Sequence, residues 1–412
     1  MSTLALDTPP RRDLAVITLI GAVHGVSHFF HLLLPPLFPW LMGEFGLSFT
    51  RIGLTMTVFF VVSGVGQAAA GFLVDRWGAA RVLAGGITCF ILAALLLATA
   101  ASFPVLLLVG GLAGLGNAVF HPADFTVLNR HVSSPRLGHA FSVHGLSGNL
   151  GWALAPVFMT GIATLAGWRV AALAAALLAV LALGLLLSFR HLLADPPGHS
   201  RKAAPQGEHP LAFLTVLPVW MCFAFFFLIT TAFGAIQNYA APIIEHLYGL
   251  ARPLAAGSLS AYLLGGAGGI ALGGFLAKKG EHDRIIALML GGAALLALLL
   301  ATGWPPAWSI PVLMAGIGFL TGVAGPSRDL LVRRAAVGRF GEAAYGRIYG
   351  FVYSGLDAGL ALAPLIFGAF MDGGQESRVL VGIALLQGLA IFTALGVGRY
   401  LPAQPGSQGA SR

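Results

Sequence analysis

Charged residues are scarce in this chain: only 9% of its 412 residues are Asp, Glu, Lys or Arg, whereas 57% are hydrophobic. This balance excludes an ordinary soluble globular protein, in which about 25% of residues are charged. Cysteine is scarcer still. Cys89 and Cys222 fall one in each half of the sequence, which excludes a disulfide framework and a CxxC metal motif. Such a chain is expected in a lipid bilayer.

Signatures of soluble chemistry are also missing from the sequence. It contains neither the GxxxxGK[ST] loop that binds nucleotide phosphates nor the HExxH zinc motif. We therefore expect no enzyme activity, no bound cofactor and no ATP-driven pump. Energy for moving a solute would then come from an ion gradient or from the solute itself.

Long apolar segments, by contrast, fill the sequence. Residues 170–189 and 379–398 carry no ionisable side chain, and each run is long enough at helical rise to cross a hydrocarbon core of roughly 30 Å. Proline, glycine and charge clusters divide the chain into twelve predicted spans, at 14–42, 50–74, 82–101, 104–130, 136–165, 168–190, 212–246, 253–277, 284–303, 307–332, 344–372 and 376–399. The pattern predicts an all-α integral membrane protein.

The basic residues alternate with this topology. All but four of the 23 Lys and Arg residues fall on one side, the exceptions being Arg51, Arg169, Arg252 and Arg378. The positive-inside rule assigns the basic side, and with it both termini, to the cytoplasm. The formal charge of +8 is therefore an orientation signal and not a nucleic-acid patch. We expect a multi-pass protein of the cell membrane that works as a monomer in the lipid bilayer and binds no nucleic acid.

A polar, proline-containing linker separates two groups of six spans. The predicted divisions are a cytoplasmic tail (1–13), an N-terminal six-helix bundle (14–190), a cytoplasmic linker (191–211), a C-terminal six-helix bundle (212–399) and a second cytoplasmic tail (400–412). The bundles repeat one another weakly: Leu154-Ala155-Pro156, for example, recurs as Leu362-Ala363-Pro364. Parallel repeats of this kind are associated with alternating access to a central site.

A charged, glycine-containing run joins the second and third spans, with the sequence Gly71-Phe72-Leu73-Val74-Asp75-Arg76-Trp77-Gly78-Ala79-Ala80-Arg81. It resembles the G-x-L-a-D-r-x-G-r-k loop of the major facilitator superfamily of transporters. The resemblance implies twelve helices in two pseudo-symmetric bundles. It also implies that this loop is a conformational latch, in which we expect Asp75, Arg76 and Arg81 to act.

A second run, from Gly114 to Asp124, resembles the G-x-G-x-x-x-F-H-P signature of the fosmidomycin-resistance group of exporters in that superfamily. The similarity covers most of the N-terminal half and is only general in the C-terminal half. It implies export of a small molecule. One departure concerns the first helix: where that group carries an Asn-Asp pair, this chain reads Ser27-His28, so a histidine replaces a carboxylate expected to handle protons.

Histidines are the unusual polar residues of the predicted spans. His24, His28 and His31 recur at i, i+4 and i+7 and share one face of the first helix. Because imidazole exchanges protons near neutral pH, we predict that His24 and His28 take part in proton coupling and that His121 and His144 line the same cavity. Hydrogen bonding between helices is the plainer alternative. Metal ligation is a third, disfavoured because the sequence reveals no cysteine or carboxylate at matching depth.

Carboxylates are few, so their positions are informative. Asp357 lies well inside the eleventh span and corresponds, by the internal repeat, to Asn149. A charge there is costly, so we predict that Asp357 contacts substrate or protons, the alternative being a neutral residue at a helix contact.

Two opposite charges occupy pseudo-symmetric places. Asp124 follows His121-Pro122 as Arg328 follows Gly325-Pro326, near the cytoplasmic ends of the fourth and tenth spans. We predict that they pair across the halves and help to close the cytoplasmic gate when the protein faces outward. The alternative is that both are solvated and contribute little.

Uncharged polar residues within spans are candidates for substrate contact. They are Asn117, Asn149, Gln237, Asn238 and Tyr239. The sequence as a whole predicts a secondary active transporter, preferably a proton-coupled exporter of a small polar or amphipathic compound, such as a drug or metabolite. The alternatives are proton-coupled uptake of a small organic anion, transport of a metal or metal chelate, and a non-transporting membrane receptor.

Overall fold

The computed structural model describes residues 9–193, 212–276, 282–340 and 345–400. In these ranges the chain forms α-helices and short 3-10 turns, without a strand. The helices are α1 (Pro9–His31), α2 (Phe38–Phe45), α3 (Phe49–Trp77), α4 (Ala79–Ala98), α5 (Phe103–Asn117), α6 (Phe120–His131), α7 (Leu137–Ala166), α8 (Trp168–Ser188), α9 (Leu217–Tyr248), α10 (Arg252–Leu276), α11 (His282–Ala301), α12 (Ile310–Phe340), α13 (Tyr345–Asp372) and α14 (Glu376–Tyr400). They provide twelve segments long and apolar enough to cross a membrane, which confirms the predicted all-α architecture.

Two of the twelve segments are broken helices. The first consists of α1 and α2, separated by a turn at Pro35–Leu37, and the fourth consists of α5 and α6, separated after Asn117. Proline explains both breaks, because it lacks the N–H that would continue the helical hydrogen bonding. In α6 that residue is Pro122, one position beyond His121, so the break also sets the direction in which His121 projects.

Helices α1–α8 form the N-terminal half and α9–α14 the C-terminal half. With twelve crossings, both ends of the described chain lie on one side of the molecule, which we call the terminal side; the opposite side is the distal side. The predicted division into tails, linker and bundles stays a prediction, since residues 1–8, 194–211 and 401–412 lie outside the described ranges.

A single glycine joins α3 to α4. Gly78 has a φ of 82° and is both the C-cap of α3 and the N-cap of α4. Side chains with a Cβ rarely adopt this conformation, so the tight turn of the predicted latch loop depends on glycine here.

Close contact between α10 and α12 holds the C-terminal half together. On α12, a Cβ at Gly318 would clash with the carbonyl oxygen of Tyr262, and one at Gly322 with that of Gly266. On α10, Gly269 meets the backbone of Phe319 in the same way. Membrane helices lack a hydrophobic force that drives them together, so such backbone approach is a main source of their packing energy.

We expect Gly318→Ala to destabilise the protein, because the added methyl group forces α10 and α12 apart, at a cost of about 1–3 kcal/mol for an overpacked site. The midpoint of thermal unfolding of the purified protein measures the effect. Gly274→Ala is the matched control, since a Cβ there meets no atom within 4 Å. Equal midpoints for the two variants would contradict the packing argument.

Candidate functional site

Five histidines meet inside the N-terminal half. The ring of His24 stacks on that of His144 with centroids 3.5 Å apart, and lies 4.4 Å from His28 and 5.4 Å from His121. His28 in turn stacks on His31 at 4.9 Å. We call these five residues the histidine cluster. Helices α1, α6 and α7 thus bring together His24, His28, His121 and His144, which the sequence analysis assigned to one cavity.

Asp124 lies at the base of the histidine cluster. Its Oδ2 is 2.9 Å from Nδ1 of His24 and 3.1 Å from Nε2 of His144, and the residue is fully buried. Sequence spacing alone placed Asp124 at a gate with Arg328. In this structure Asp124 pairs within its own half, because the face of α6 that carries it packs against α1 and α7. The contact with Arg328, predicted for the outward-facing state, stays a prediction. The guanidinium of Arg328 lies 4.6 Å from the ring centroid of Phe226.

Asn117 is the centre of a buried network next to the histidine cluster. Its Oδ1 accepts hydrogen bonds from Ser27 at 2.8 Å and from Nε2 of His31 at 2.7 Å, while its Nδ2 donates to Ser63 at 2.8 Å. With both ends of the amide engaged and only 6% of the residue exposed, Asn117 joins α1, α3 and α5, and its predicted contact with substrate stays a prediction. It also fixes a proton on Nε2 of His31.

The two halves meet along α3 and α13. Three packing contacts follow one another from the distal side inward: Thr50 against Gly368, Gly53 against Pro364, and Gly64 against Asp357. Between the second and the third contact, Thr57 donates a hydrogen bond to the carbonyl of Ala361 at 2.7 Å. We call these four contacts the interface ladder. Asp357 occupies its innermost step: its Oδ2 lies 3.5 Å from the position of a Cβ at Gly64.

A carboxylate closes the ladder at the distal side. Asp372, the last residue of α13, accepts hydrogen bonds from the backbone N–H groups of Phe49 and Thr50, at the first turn of α3. A negative charge is favourable at the N-terminus of a helix, so this contact joins the halves electrostatically. Sequence reasoning missed Asp372, because nothing in a single sequence pairs residues 322 positions apart.

Aromatic contacts connect the histidine cluster to the other half. Trp152 on α7 lies 4.2 Å from the ring of His28 and 5.2 Å from that of Phe233 on α9. Nearby, Ser260 of α10 donates a hydrogen bond to the carbonyl of Ala153 at 2.7 Å. Rearrangement at this interface would therefore reach His28 through one intervening side chain.

The remaining substrate candidates differ in their surroundings. Tyr239 is fully buried and donates a hydrogen bond to the carbonyl of Pro364 in its own half at 3.0 Å. Its hydroxyl also lies 3.4 Å from the carbonyl oxygen of Phe49 on α3, so it belongs to the interface between halves. Gln237 and Asn238 are buried, and each keeps one polar atom without a hydrogen-bond partner among the described residues. Asn149 is more exposed and bonds the Gly145 carbonyl of its own helix at 2.9 Å.

The predicted latch is described only in part. Arg76 and Arg81 are exposed beside the turn at Gly78. The side chain of Asp75, and those of the segment 343–347 expected to receive it, lie outside what the structure describes, so the latch stays a prediction.

A comparison with family profiles assigns the chain to a protein family. The profile of the Major Facilitator Superfamily matches residues 19–364. The chain belongs to the major facilitator superfamily. The superfamily consists of transporters and not enzymes, its members bind small-molecule substrates and commonly function as monomers, and the protein is accordingly a multi-pass protein of the cell membrane.

Individual relatives agree with the superfamily assignment. The chain is similar to the fosmidomycin resistance protein of Escherichia coli (strain K12), with 28% identity over 88% of each chain. It is also 29% identical to the uncharacterized MFS-type transporter YfnC of Bacillus subtilis (strain 168), over 92% of each chain. The expected resemblance to the fosmidomycin-resistance group is thereby confirmed.

A solved structure supports the fold. A bacterial homologue of the human lysosomal transporter Spinster, in an inward-facing and occupied conformation, superimposes with a TM-score of 0.76. The match covers 95% of this chain and 98% of that one at 14% identity. At this identity the likeness concerns the fold alone.

We expect Asp372→Asn to weaken the distal closure, because a charge at a helix N-terminus contributes about 0.3–1 kcal/mol. The distally open population should rise by up to about fivefold. This population can be measured from electron–electron double-resonance distances between spin labels at Gly43→Cys and Gly257→Cys, in a chain lacking Cys89 and Cys222.

Glu376→Gln is the matched control for this experiment. Glu376 is also a carboxylate at the distal side, but it pairs with His246 of its own half at 3.0 Å. An identical distance distribution in wild type and Asp372→Asn, or an equal change in both variants, would contradict a specific role for Asp372.

Proposed function

We propose that the protein exports a small polar or amphipathic compound in exchange for protons, by alternating access between its two halves. The resistance named for the Escherichia coli relative supports export, and the superfamily supports a transported small molecule. Direction, coupling ion and compound are parts of the proposal.

Closure on the distal side supports a rocking movement of the halves. The interface ladder and the Asp372 contact join α3 to α13 on that side. For the distal side to open, these contacts must separate together, because α3 and α13 belong to different halves. If the terminal side is cytoplasmic, as the basic residues predict, this conformation is closed to the exterior.

The position of Asp357 is the observation that best supports proton coupling. Its carboxyl group lies at the innermost step of the interface ladder, half-buried against the backbone of α3 at Gly64. An ionised carboxylate within a membrane span costs about 2.5–3.5 kcal/mol on insertion scales. Protonated Asp357 therefore favours distal closure, and ionised Asp357 favours separation of α3 from α13, where water solvates it.

This preference yields an exchange cycle. A proton reaches Asp357 from outside while the distal side is open, and the protonated side chain permits distal closure. Once the terminal side opens, the proton leaves to the cytoplasm and substrate binds. Ionised Asp357 then favours opening of the distal side while the substrate is bound. One proton therefore enters the cell for each export step.

His24 and His28 are proposed to assist the same coupling. Both are almost fully buried, and His28 contacts Trp152, whose other face meets Phe233 across the interface. His121, His144, Gln237 and Asn238 are the proposed contacts for substrate, since polar atoms of Gln237 and Asn238 have no described hydrogen-bond partner.

Transport into inside-out membrane vesicles tests the proposal, with fosmidomycin as the first probe compound and a screen of polar and amphipathic compounds beside it. We expect accumulation when the vesicles are energised with a proton gradient and none after an uncoupler is added. Loss of preloaded solute from energised vesicles would show uptake in the cell, and transport insensitive to the uncoupler would overturn proton coupling.

We expect Asp357→Asn to abolish accumulation driven by the proton gradient while retaining exchange of labelled for unlabelled substrate. The asparagine mimics the protonated side chain and cannot release a proton. Asp283→Asn, at the first turn of α11, is the control and should transport normally. Gradient-driven transport by Asp357→Asn at the wild-type rate and with the wild-type pH dependence would remove Asp357 from the mechanism.

A further inference from the structure

Three imidazoles of the histidine cluster are arranged like the ligands of a metal ion. His24, His28 and His121 each offer one ring nitrogen, and these three atoms all lie within 4.8 Å of one another. Zn–N bonds of about 2.0–2.1 Å in a tetrahedral site require nitrogens somewhat closer than this. Binding an ion therefore requires the three ring nitrogens to move closer together.

Two of these imidazoles approach an oxygen through Nδ1, His24 by a close charge contact that lacks hydrogen-bond geometry and His121 by a long hydrogen bond. Nδ1 of His24 lies 2.9 Å from the Asp124 carboxylate, and Nδ1 of His121 lies 3.3 Å from Oε1 of Gln67. Each contact leaves Nε2 available. Metal-binding histidines in proteins are characteristically held in this way, by a carboxylate or carbonyl oxygen at the nitrogen that does not bind the metal.

His28 supplies an independent observation. It is only 8% exposed, yet neither of its ring nitrogens has a hydrogen-bond partner among the described residues. Burial of an unpaired polar group is costly, and a bound cation would offset that cost. No neighbouring side chain described by the structure provides one.

Gly148 on α7 lets the rings of His24 and His28 pack closely against the helix backbone. A Cβ at this position would lie 2.7 Å from Nδ1 of His28 and 3.1 Å from Nε2 of His24. Both nitrogens therefore face the same point on α7, and a larger residue at position 148 would push the two rings away.

The donor set selects the class of ion. Neutral imidazole suits Zn²⁺, Cu²⁺, Ni²⁺ and Co²⁺, whereas Mg²⁺ and Ca²⁺ prefer oxygen ligands. Asp124 adds a buried negative charge beside His24, and its Oδ1 has no described partner. The sequence argument against a metal was the lack of a carboxylate at this depth, and Asp124 removes that argument.

We propose that His24, His28 and His121 bind one divalent transition-metal ion of the Zn²⁺ class, with Asp124 and Gln67 orienting the ligands. This site lies wholly within the N-terminal half. The inference goes beyond the proposed exchange of protons for substrate. While the ion is bound, His24 and His28 cannot exchange protons, and the proposed coupling then rests on Asp357.

Titration of the purified, full-length protein with Co²⁺ tests the site directly. The protein is prepared without a histidine tag, stripped with a chelator and kept in detergent, and the visible absorption of bound Co²⁺ is recorded. We expect one Co²⁺ per chain with the intense bands of a tetrahedral nitrogen site, displaced by Zn²⁺ and unaffected by Mg²⁺.

Variants assign the ligands. His24→Ala, His28→Ala and His121→Ala should each lower the Co²⁺ affinity at least about tenfold, and Asp124→Asn by about ten- to a hundredfold, as for other orienting residues. His139→Ala, an exposed histidine on α7, is the control and should bind like the wild type. Where an alanine variant is not monodisperse, the corresponding glutamine variant replaces it.

Two results would overturn the inference. One is the absence of saturable, stoichiometric Co²⁺ binding by the wild-type protein. The other is binding that survives His121→Ala but is lost in His144→Ala, since His24, Asp124 and His144 form an alternative donor set. Because binding is measured without a gradient, failure here leaves proton-driven export intact, and failed export leaves a measured metal site intact.

Discussion

The structure depends on one constraint, that polar side chains within membrane spans must find their partners inside the protein. In the N-terminal half this requirement brings His24 and His144 to the buried carboxylate of Asp124 and joins Asn117 to Ser27, His31 and Ser63. Helices α1, α5, α6 and α7 are held together by these contacts as well as by apolar packing. The same polar core supplies groups that can bind protons or cations.

The interface between the halves follows a different rule. It is built from small residues and backbone contacts, such as Gly53 against Pro364 and Thr57 against the Ala361 carbonyl. Such contacts are specific but individually weak, which suits surfaces that must separate in every transport cycle. The carboxylates of Asp357 and Asp372 at the two ends of the interface ladder make its stability sensitive to charge.

The fold was predictable because hydropathy and glycine turns are local properties of the sequence. The common face of His24 and His28 also followed from helical periodicity. Asp124 did not, because its partners depend on how the broken helix α5–α6 packs against α1 and α7. Asp372 joins α3 across the two halves, and Asn117 binds side chains on two other helices. Neither arrangement has a signal in a single sequence.

Cross-linking of the interface ladder tests the central claim, that transport requires α3 and α13 to separate. Cysteines introduced at Thr57 and Ala361, in a chain whose Cys89 and Cys222 have been replaced, would join the halves on oxidation. The account predicts that the oxidised protein stops transporting and that dithiothreitol restores transport, whereas each single-cysteine variant is unaffected by oxidation. Undiminished transport by fully cross-linked protein would contradict it.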